Sequence, residues 1–300
     1  GTITPNSDAH PENEKKINVG FITAKSIAGD IDARNMVAAG VGTFISDATF
    51  NSITIGKGAN SVAGNTVLGE SALDAATTGG SNTAIGKDAL GATTTGASNV
   101  AVGFQALDAN TTGEENTAIG TDSLGGNTTG NRNTALGNDC LVSNTTASDN
   151  TGVGHDVLKT NSTGANNTAV GRGSLSANTT ASNNTAVGRS ALATNTTGTY
   201  NTALGAYTLS NQTTSNNNTA IGYYALDQNT TGTGNVAVGA NALDTSTTGA
   251  EQVAIGYLAL EANTTGNYNT AVGARSLDAN TTGSYNVAVG RVSLSAATTG

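Results

Sequence analysis

Residues 252–268 have the sequence QVAIGYLALEANTTGNY, and residues 269–285, NTAVGARSLDANTTGSY, follow the same pattern without a gap. The glycine at the fifth position of each stretch belongs to a series of fourteen, which we call the grid glycines. They recur with a 17-residue period from Gly69 to Gly290, with no insertion or deletion. A period held this strictly predicts a solenoid, in which each repeat forms one coil and every residue stacks on its counterpart in the next coil.

Residue types alternate in front of each grid glycine. The residue directly before it is Val, Ile or Leu in all fourteen repeats, and the residue three positions before it is Thr or Val. Between them lies Ala, with Val67 and Gly152 as the exceptions. This alternation predicts a β-strand with one aliphatic face and one face of Ala and Gly that is almost bare of side chain. We expect that bare face to pack against other copies of the chain, at Ala254, Gly256, Ala271, Gly273, Ala288 and Gly290.

The rest of the repeat contains two further regular positions. A leucine occupies the fourth position after each grid glycine in all fourteen repeats, which predicts a thin core that becomes continuous when coils stack at about 4.8 Å. Asn opens thirteen of the fourteen repeats, with Gln252 as the exception, and predicts a ladder of stacked amides along the axis. The pattern as a whole indicates an all-β, parallel β-solenoid whose coils contain two strands and a wide second corner.

The chain divides into four regions. Residues 1–16 are polar and predict an extended N-terminal arm, and residues 17–50 predict a small non-repetitive β-rich attachment or shaft segment. Residues 51–64 predict a capping coil, because the interval from Gly56 to Gly69 is shorter than one repeat and terminal repeats are commonly atypical. Residues 65–300 comprise the fourteen repeats.

Composition argues against several classes of function. The net charge is −9 and no Lys/Arg cluster is apparent, which argues against nucleic acid as a partner. No apolar run is long enough for membrane insertion, and no signal-peptide pattern opens the chain. His155 lies beside Asp156 without a nucleophile in the pattern, and Cys140 takes a position otherwise held by small residues. We therefore expect no enzymatic activity and no cofactor, a surface role for His155 and a packed side chain for Cys140.

Two sets of side chains could bind ligands. A carboxylate follows the leucine in four successive repeats: Asp227, Asp244, Glu261 and Asp278. Hard cations such as Ca²⁺ prefer such oxygen ligands, so these residues could form a metal column. A solvated acidic stripe is the simpler interpretation. A second acidic column contains Asp122, Asp139 and Asp156. Tyrosines recur at two outward positions and are candidates for receptor or glycan contact: Tyr200, Tyr268 and Tyr285 before the Asn, and Tyr223 and Tyr257 after the grid glycine.

Two protein families share parts of this pattern. The segment Val253-Ala254-Ile255-Gly256 resembles the core motif of trimeric autotransporter adhesin heads, which implies a left-handed parallel β-roll with three chains around a common axis. The 17-residue period is longer than that family's repeat. The full repeat also resembles tail-fibre proteins of tailed phages, and the stretches at 19–24 and 40–46 are similar to strand segments of marine cyanophage fibres.

These resemblances imply a virion fibre: a rigid homotrimeric rod that contacts other virion proteins through its N-terminal region and contributes to host attachment through a surface glycan or protein. The first alternative is the head of a bacterial trimeric surface adhesin, located on the cell surface. A third hypothesis is an ice-binding solenoid, based on the paired Thr columns of the Asn-Thr-Thr segments.

Overall fold

The structure, a computed structural model, describes residues 48–50 and 52–299. Its strands are β1 (Ala48–Phe50), β2 (Ile53–Gly56), β3 (Thr66–Gly69), β4 (Thr83–Ile85), β5 (Val100–Val102), β6 (Thr117–Ile119), β7 (Thr134–Leu136), β8 (Thr151–Val153), β9 (Thr168–Val170), β10 (Thr185–Val187), β11 (Thr202–Leu204), β12 (Thr219–Ile221), β13 (Val236–Val238), β14 (Val253–Ile255), β15 (Thr270–Val272) and β16 (Val287–Val289). One 3₁₀ turn spans Ala59–Ser61. The expectations for residues 1–16, and for 17–50 apart from β1, lie outside the described residues.

The chain is an all-β solenoid with a 17-residue repeat, as predicted. The sixteen strands form one sheet in chain order, and β3 to β16 pair in parallel. Each of these pairings joins residues exactly one repeat apart, as in Thr185 to Thr202. Thirteen such steps at about 4.8 Å give a rod about 60 Å long. The prediction of two strands per coil is wrong, because the rest of each coil is a series of turns.

The N-terminal end of the solenoid differs from the capping coil predicted for residues 51–64. Strand β2 pairs with β3 in the antiparallel direction, with Ile55 opposite Leu68, and β1 in turn pairs antiparallel with β2. The segment therefore covers the first coil with a reversed strand rather than with a shorter coil of the same direction. Covering an edge in this way occupies the hydrogen-bonding groups that a parallel stack would leave free.

The two faces of the strand are the reverse of the sequence-based expectation. Ala254 and Ala271 are completely buried and Ala288 nearly so, because the alanines point into the coil and pack beside the leucines. The aliphatic residues and Thr or Val on either side point outward, and Ile255 is 40% exposed. The prediction that the alanines contact another copy of the chain is therefore wrong. Small side chains are needed there because the interior of a 17-residue coil is narrow.

The grid glycines face the next coil of the same chain. From Gly86 onward their φ angles lie between 116° and 142°, a region that residues with a side chain rarely adopt. A Cβ on Gly256 would lie 2.6 Å from the carbonyl carbon of Gly273. Gly290, in the last coil, has no neighbour within 4 Å of such an atom. The glycine column is thus required for stacking, and the contact of Gly256, Gly273 and Gly290 with a partner stays a prediction.

The leucine column combines burial with a strained backbone. The leucines of this column are completely buried from Leu73 to Leu277, and all fourteen have φ between 49° and 54°. A left-handed conformation costs about 1–2 kcal/mol for a residue with a side chain. Burial of a leucine contributes about 1.5–3 kcal/mol. The free-energy cost of the backbone conformation and the gain from burial are similar in size. The leucine therefore stabilises the coil only when stacking with both neighbours keeps it fully buried.

Two ladders of buried amides run along the interior. The first ladder contains the Asn at the fourth position before each grid glycine. Its geometry is shown by Asn99, whose backbone N–H donates to Asn82 Oδ1 at 2.9 Å and whose Nδ2 donates to Gly113 O at 2.9 Å. The second contains the seventh position after each grid glycine, where Asn144 Nδ2 donates to Asn127 Oδ1 at 2.9 Å. Of the buried side-chain polar atoms described, only Asn280 Oδ1 has no partner, since Ala297 replaces the next Asn.

Departures from the consensus repeat compensate for one another. Gly152 replaces the usual Ala, and a Cβ there would lie 2.5 Å from Cys140 Sγ. Cys140 is completely buried, which confirms its predicted packed role, and burial raises the pKa of its thiol to about 12. A larger side chain in one coil is therefore accommodated by a smaller one in the next.

A second compensation repairs the amide ladders. Ser246 takes the place of an Asn in the second ladder and is too short to reach the following coil. Gln252, the exception in the first ladder, donates its Nε2 to Ser246 Oγ at 3.3 Å and accepts from Asn263 Nδ2 through its Oε1 at 2.8 Å. The extra methylene of Gln252 thus supplies the acceptor that the missing Asn would have provided.

This arrangement predicts a measurable coupling. Gln252→Asn should leave Asn263 with one hydrogen bond fewer and cost about 1–3 kcal/mol in the free energy of unfolding. Ser246→Asn should crowd the Gln252 amide at a similar cost. The double variant recreates the consensus coil, and we expect it to recover most of the loss in urea denaturation. Additive losses in the double variant would contradict the proposed compensation.

Candidate interaction surfaces

The outward face of the strands forms a continuous uncharged stripe, which we call the outer stripe. It consists of the residues one and three positions before each grid glycine, two in each of fourteen coils. All twenty-eight positions are Val, Ile, Leu or Thr. Leu136 and Leu204 are 44% and 46% exposed. Two residues of strand width, about 7 Å, and a length of about 60 Å give a projected area of about 400 Å², in which ten positions are Thr and eighteen are aliphatic.

The carboxylates proposed as a metal column do share one line on the rod. Asp227 is almost completely buried and accepts hydrogen bonds from the Ser210 hydroxyl, from Asn211 Nδ2 at 3.3 Å and from Gln228 Nε2 at 2.7 Å. Burial, and then the charges of Asp227 and Glu261, raise the pKa of Asp244 to about 6. The column is therefore made of repelling carboxylates, and no three of its members bring ligand atoms together at one point among the described residues.

The second acidic column contains a different cluster. One ligand atom from each of Asp139, His155 and Asp156 lies within 4.8 Å of the others, the one group of three such residues in the described part of the chain. Lys159 Nζ already contacts both carboxylates, at 3.3 Å from Asp139 and 2.7 Å from Asp156. Its hydrogen bond holds the pKa of Asp156 below its usual value. His155 is about half exposed, and its Nδ1 lies 2.8 Å from Asp156 Oδ2.

The tyrosines are brought together in two groups, only one of which was expected. Tyr268 and Tyr285 stack with ring centroids 4.9 Å apart. Tyr223 contacts Tyr224 edge-on at 4.3 Å, and Tyr224 stacks on Tyr207 at 5.1 Å.

Tyr200 and Tyr257 are exposed without a ring contact to another tyrosine among the described residues. Tyr207 and Tyr224 were missed, although both lie two residues after a grid glycine and the 17-residue period places them in one column.

The structure also brings together three cationic side chains that lie far apart in the sequence. Lys159, Arg172 and Arg189 line one groove with a volume of about 530 Å³. The three residues are widely spaced in the chain and do not form a run, so the linear sequence contains no Lys/Arg cluster at this place. A signal was present in the composition: residues 157–226 contain these three cations and no Asp or Glu.

No family model, no curated protein and no solved structure matches this chain. Within the described residues, none of the helical segments has the length and apolar character needed to span a membrane. The geometry of these surfaces is therefore the basis for the functional proposal.

The acidic column generates a prediction with a defined pH dependence. A carboxyl group whose pKa is raised in the folded state contributes stability below its ordinary value near 3.8, and this contribution is lost as pH rises through about 6. Asp244→Asn should therefore stabilise the fold at pH 7.5, on the order of 1 kcal/mol once solvent screening is considered. The gain should disappear near pH 4, as measured by urea denaturation at both pH values.

A matched control is Asp278→Asn, because Asp278 has an acidic neighbour in the column on one side only, with Ser295 on the other. We expect a smaller gain at pH 7.5 for this variant. An Asp244→Asn effect that is equal at both pH values would show that the change acts through packing and not through charge.

Proposed function

We propose that this protein is a structural rod of a virion fibre that assembles as a homotrimer through its outer stripe and contributes to host attachment. The observation that carries the proposal is the uncharged outward face: none of its twenty-eight positions holds Lys, Arg, Asp or Glu. The solvated face of a sheet is normally polar. This stripe has Thr at ten positions but Val, Ile or Leu at eighteen, and an exposed stripe of this kind is typical of a surface that another protein covers.

The regular stacking also suits self-association. Every coil presents two outward side chains at the same spacing, one Thr or Val and one Val, Ile or Leu, so two copies aligned along their axes have similar surfaces over the full length. Packing three chains around one axis shields each stripe from water by contact with two neighbours. This arrangement retains the trimer expected from the adhesin-like motif but moves its interface from the alanines to the outer stripe.

The bacterial surface adhesin remains the alternative, because it would use the same trimeric rod. Mass spectrometry of purified virus particles and of bacterial envelope fractions distinguishes the two, since peptides of this chain should be found in the particles if the fibre proposal is correct. Their presence in the envelope alone would support the adhesin. The ice-binding hypothesis rests on the paired Thr columns of the Asn-Thr-Thr segments and stays a third prediction. The first hydroxyl of a pair is used within the rod, as where Thr94 Oγ1 donates to Thr111 O at 3.1 Å.

The assembly predicts a threefold mass and a specific way to abolish it. Sedimentation of the wild-type chain should give three times the monomer mass of 29.4 kDa. Leu136→Lys combined with Leu204→Lys places two charges in the stripe and should shift the protein to monomer, because desolvating an unpaired charge is costly. Thr146→Lys combined with Thr214→Lys, at exposed corners of the same coils, should leave the trimer intact. A monomeric wild type at micromolar concentration would overturn the trimer.

A further inference from the structure

The rod contains an electropositive belt within an acidic protein. The whole chain has a net charge of −9, but residues 157–226, about four coils, contain Lys159, Arg172 and Arg189 and no carboxylate. Asp156 borders the belt on one side and Asp227 on the other. The belt therefore has a charge of +3. Because this region keeps the same core residues as the other coils, its charge is a property of its outward positions alone.

The cations converge on the groove described above. Its walls also include the Asp156 carboxylate at the end next to Lys159, and hydroxyl groups from Thr160, Ser176 and Ser190. Lys159 is neutralised by its contacts with Asp139 and Asp156, whereas Arg172 and Arg189 have no ion pair among the described residues. Two like charges in coils about 5 Å apart repel by about 1 kcal/mol in water and about 3 kcal/mol at a protein surface. A bound anion would relieve this repulsion.

An aromatic surface continues the groove along the rod. The guanidinium carbon of Arg189 lies over the Tyr207 ring at 5.3 Å from its centroid, and Tyr207 stacks on Tyr224 with an interplanar angle of 9°. Tyr223 lies edge-on to both rings and is about half exposed. The cations and the rings together extend over five successive coils, so the surface is elongated and has a regular spacing.

This combination matches one class of ligand. Guanidinium groups bind carboxylates and sulfates through paired hydrogen bonds. Tyrosine rings offer an apolar face together with a polar tip, which suits the C–H faces and hydroxyls of sugar rings. A surface that repeats from coil to coil fits a polymer that repeats from unit to unit. Nucleic acid fits less well, since stable binding uses more phosphate contacts than three cations provide in a chain of this net charge.

We propose that the groove at Lys159, Arg172 and Arg189 and the adjoining Tyr207, Tyr223 and Tyr224 bind a segment of an anionic polysaccharide, with its acidic groups on the two arginines and its rings along the tyrosines. The proposal deepens the attachment function and rests on it only for the biological source of the ligand. The groove lies at coil positions after the grid glycine and the outer stripe at positions before it, so ligand binding and assembly use different residues.

The test is calorimetric titration of the full chain at 0.15 M salt with dextran sulfate, polygalacturonate, neutral dextran and a single-stranded DNA oligonucleotide. The two anionic polysaccharides distinguish sulfate from carboxylate recognition, and at least one should bind while neutral dextran does not.

Arg172→Gln with Arg189→Gln should weaken that binding at least tenfold. Arg275→Gln with Arg291→Gln removes the same charge from outward positions in two adjacent coils elsewhere and should change it less than twofold. Tyr224→Ser should weaken binding severalfold, whereas Tyr268→Ser should not.

Several results would overturn the inference: no binding of either anionic polysaccharide, equal loss with both arginine pairs, or tighter binding of the oligonucleotide than of the sugars. Sedimentation of the same samples separates this inference from the proposed assembly. Loss of polysaccharide binding in a sample that is still trimeric contradicts the groove alone. A monomeric wild type that still binds the polysaccharide contradicts the trimer alone.

Discussion

The buried amide ladders constrain the rest of the structure. Each amide in the two columns finds its partner in a neighbouring repeat, inside a coil that excludes water. An inserted or deleted residue would move one coil out of register and leave buried donors and acceptors without partners, at about 1–3 kcal/mol for each. This penalty explains why fourteen repeats keep one length while many of their outward residues differ. The unpaired Asn280 Oδ1 marks the point at which the second ladder ends.

The interior is stabilised collectively. Each coil contributes one leucine in a left-handed backbone conformation and a few smaller apolar side chains such as Ala84 and Ala89, which is too little apolar surface for an isolated unit. Stacking supplies the missing burial on both sides, so the stability of a coil depends on its neighbours. The pairs Cys140 with Gly152 and Ser246 with Gln252 show how local departures are tolerated: a change in one coil is matched by a change in the following repeat.

The outward positions separate into two kinds of surface. The outer stripe is uniform along the rod, as expected of an interface between copies with the same repeat. The positions after the grid glycine vary from coil to coil and include both the acidic column around Asp244 and the cationic groove at Arg172. Uniform surface suits assembly, and variable surface suits recognition of a particular ligand. A single repeat thus accommodates both functions on different residues.

Much of the fold follows from the sequence alone. The period, the stacking of each residue on its counterpart, the leucine column and the first amide ladder were all predicted, because a strict repeat places identical residues next to each other. The direction of the strand faces was not, since an alternation of Ala with Val does not show which side is enclosed. Only the closed coil decided this: its interior has space for Ala, so the larger aliphatic residues point outward.

The surface clusters can also be divided into those that the sequence predicts and those that only the structure shows. Pairs that lie one repeat apart, such as Tyr268 with Tyr285, could be foreseen from the period. The edge-on contact of Tyr207 with Tyr223 and the contacts of Lys159 with two aspartates depend on side-chain directions around the turns. The sequence alone determined which residues share a column along the rod. The tertiary structure decided which neighbouring columns meet and which columns face water. The reason is that closing the coil imposes turns that contain residues with positive φ, and these turns set the directions of the side chains they connect.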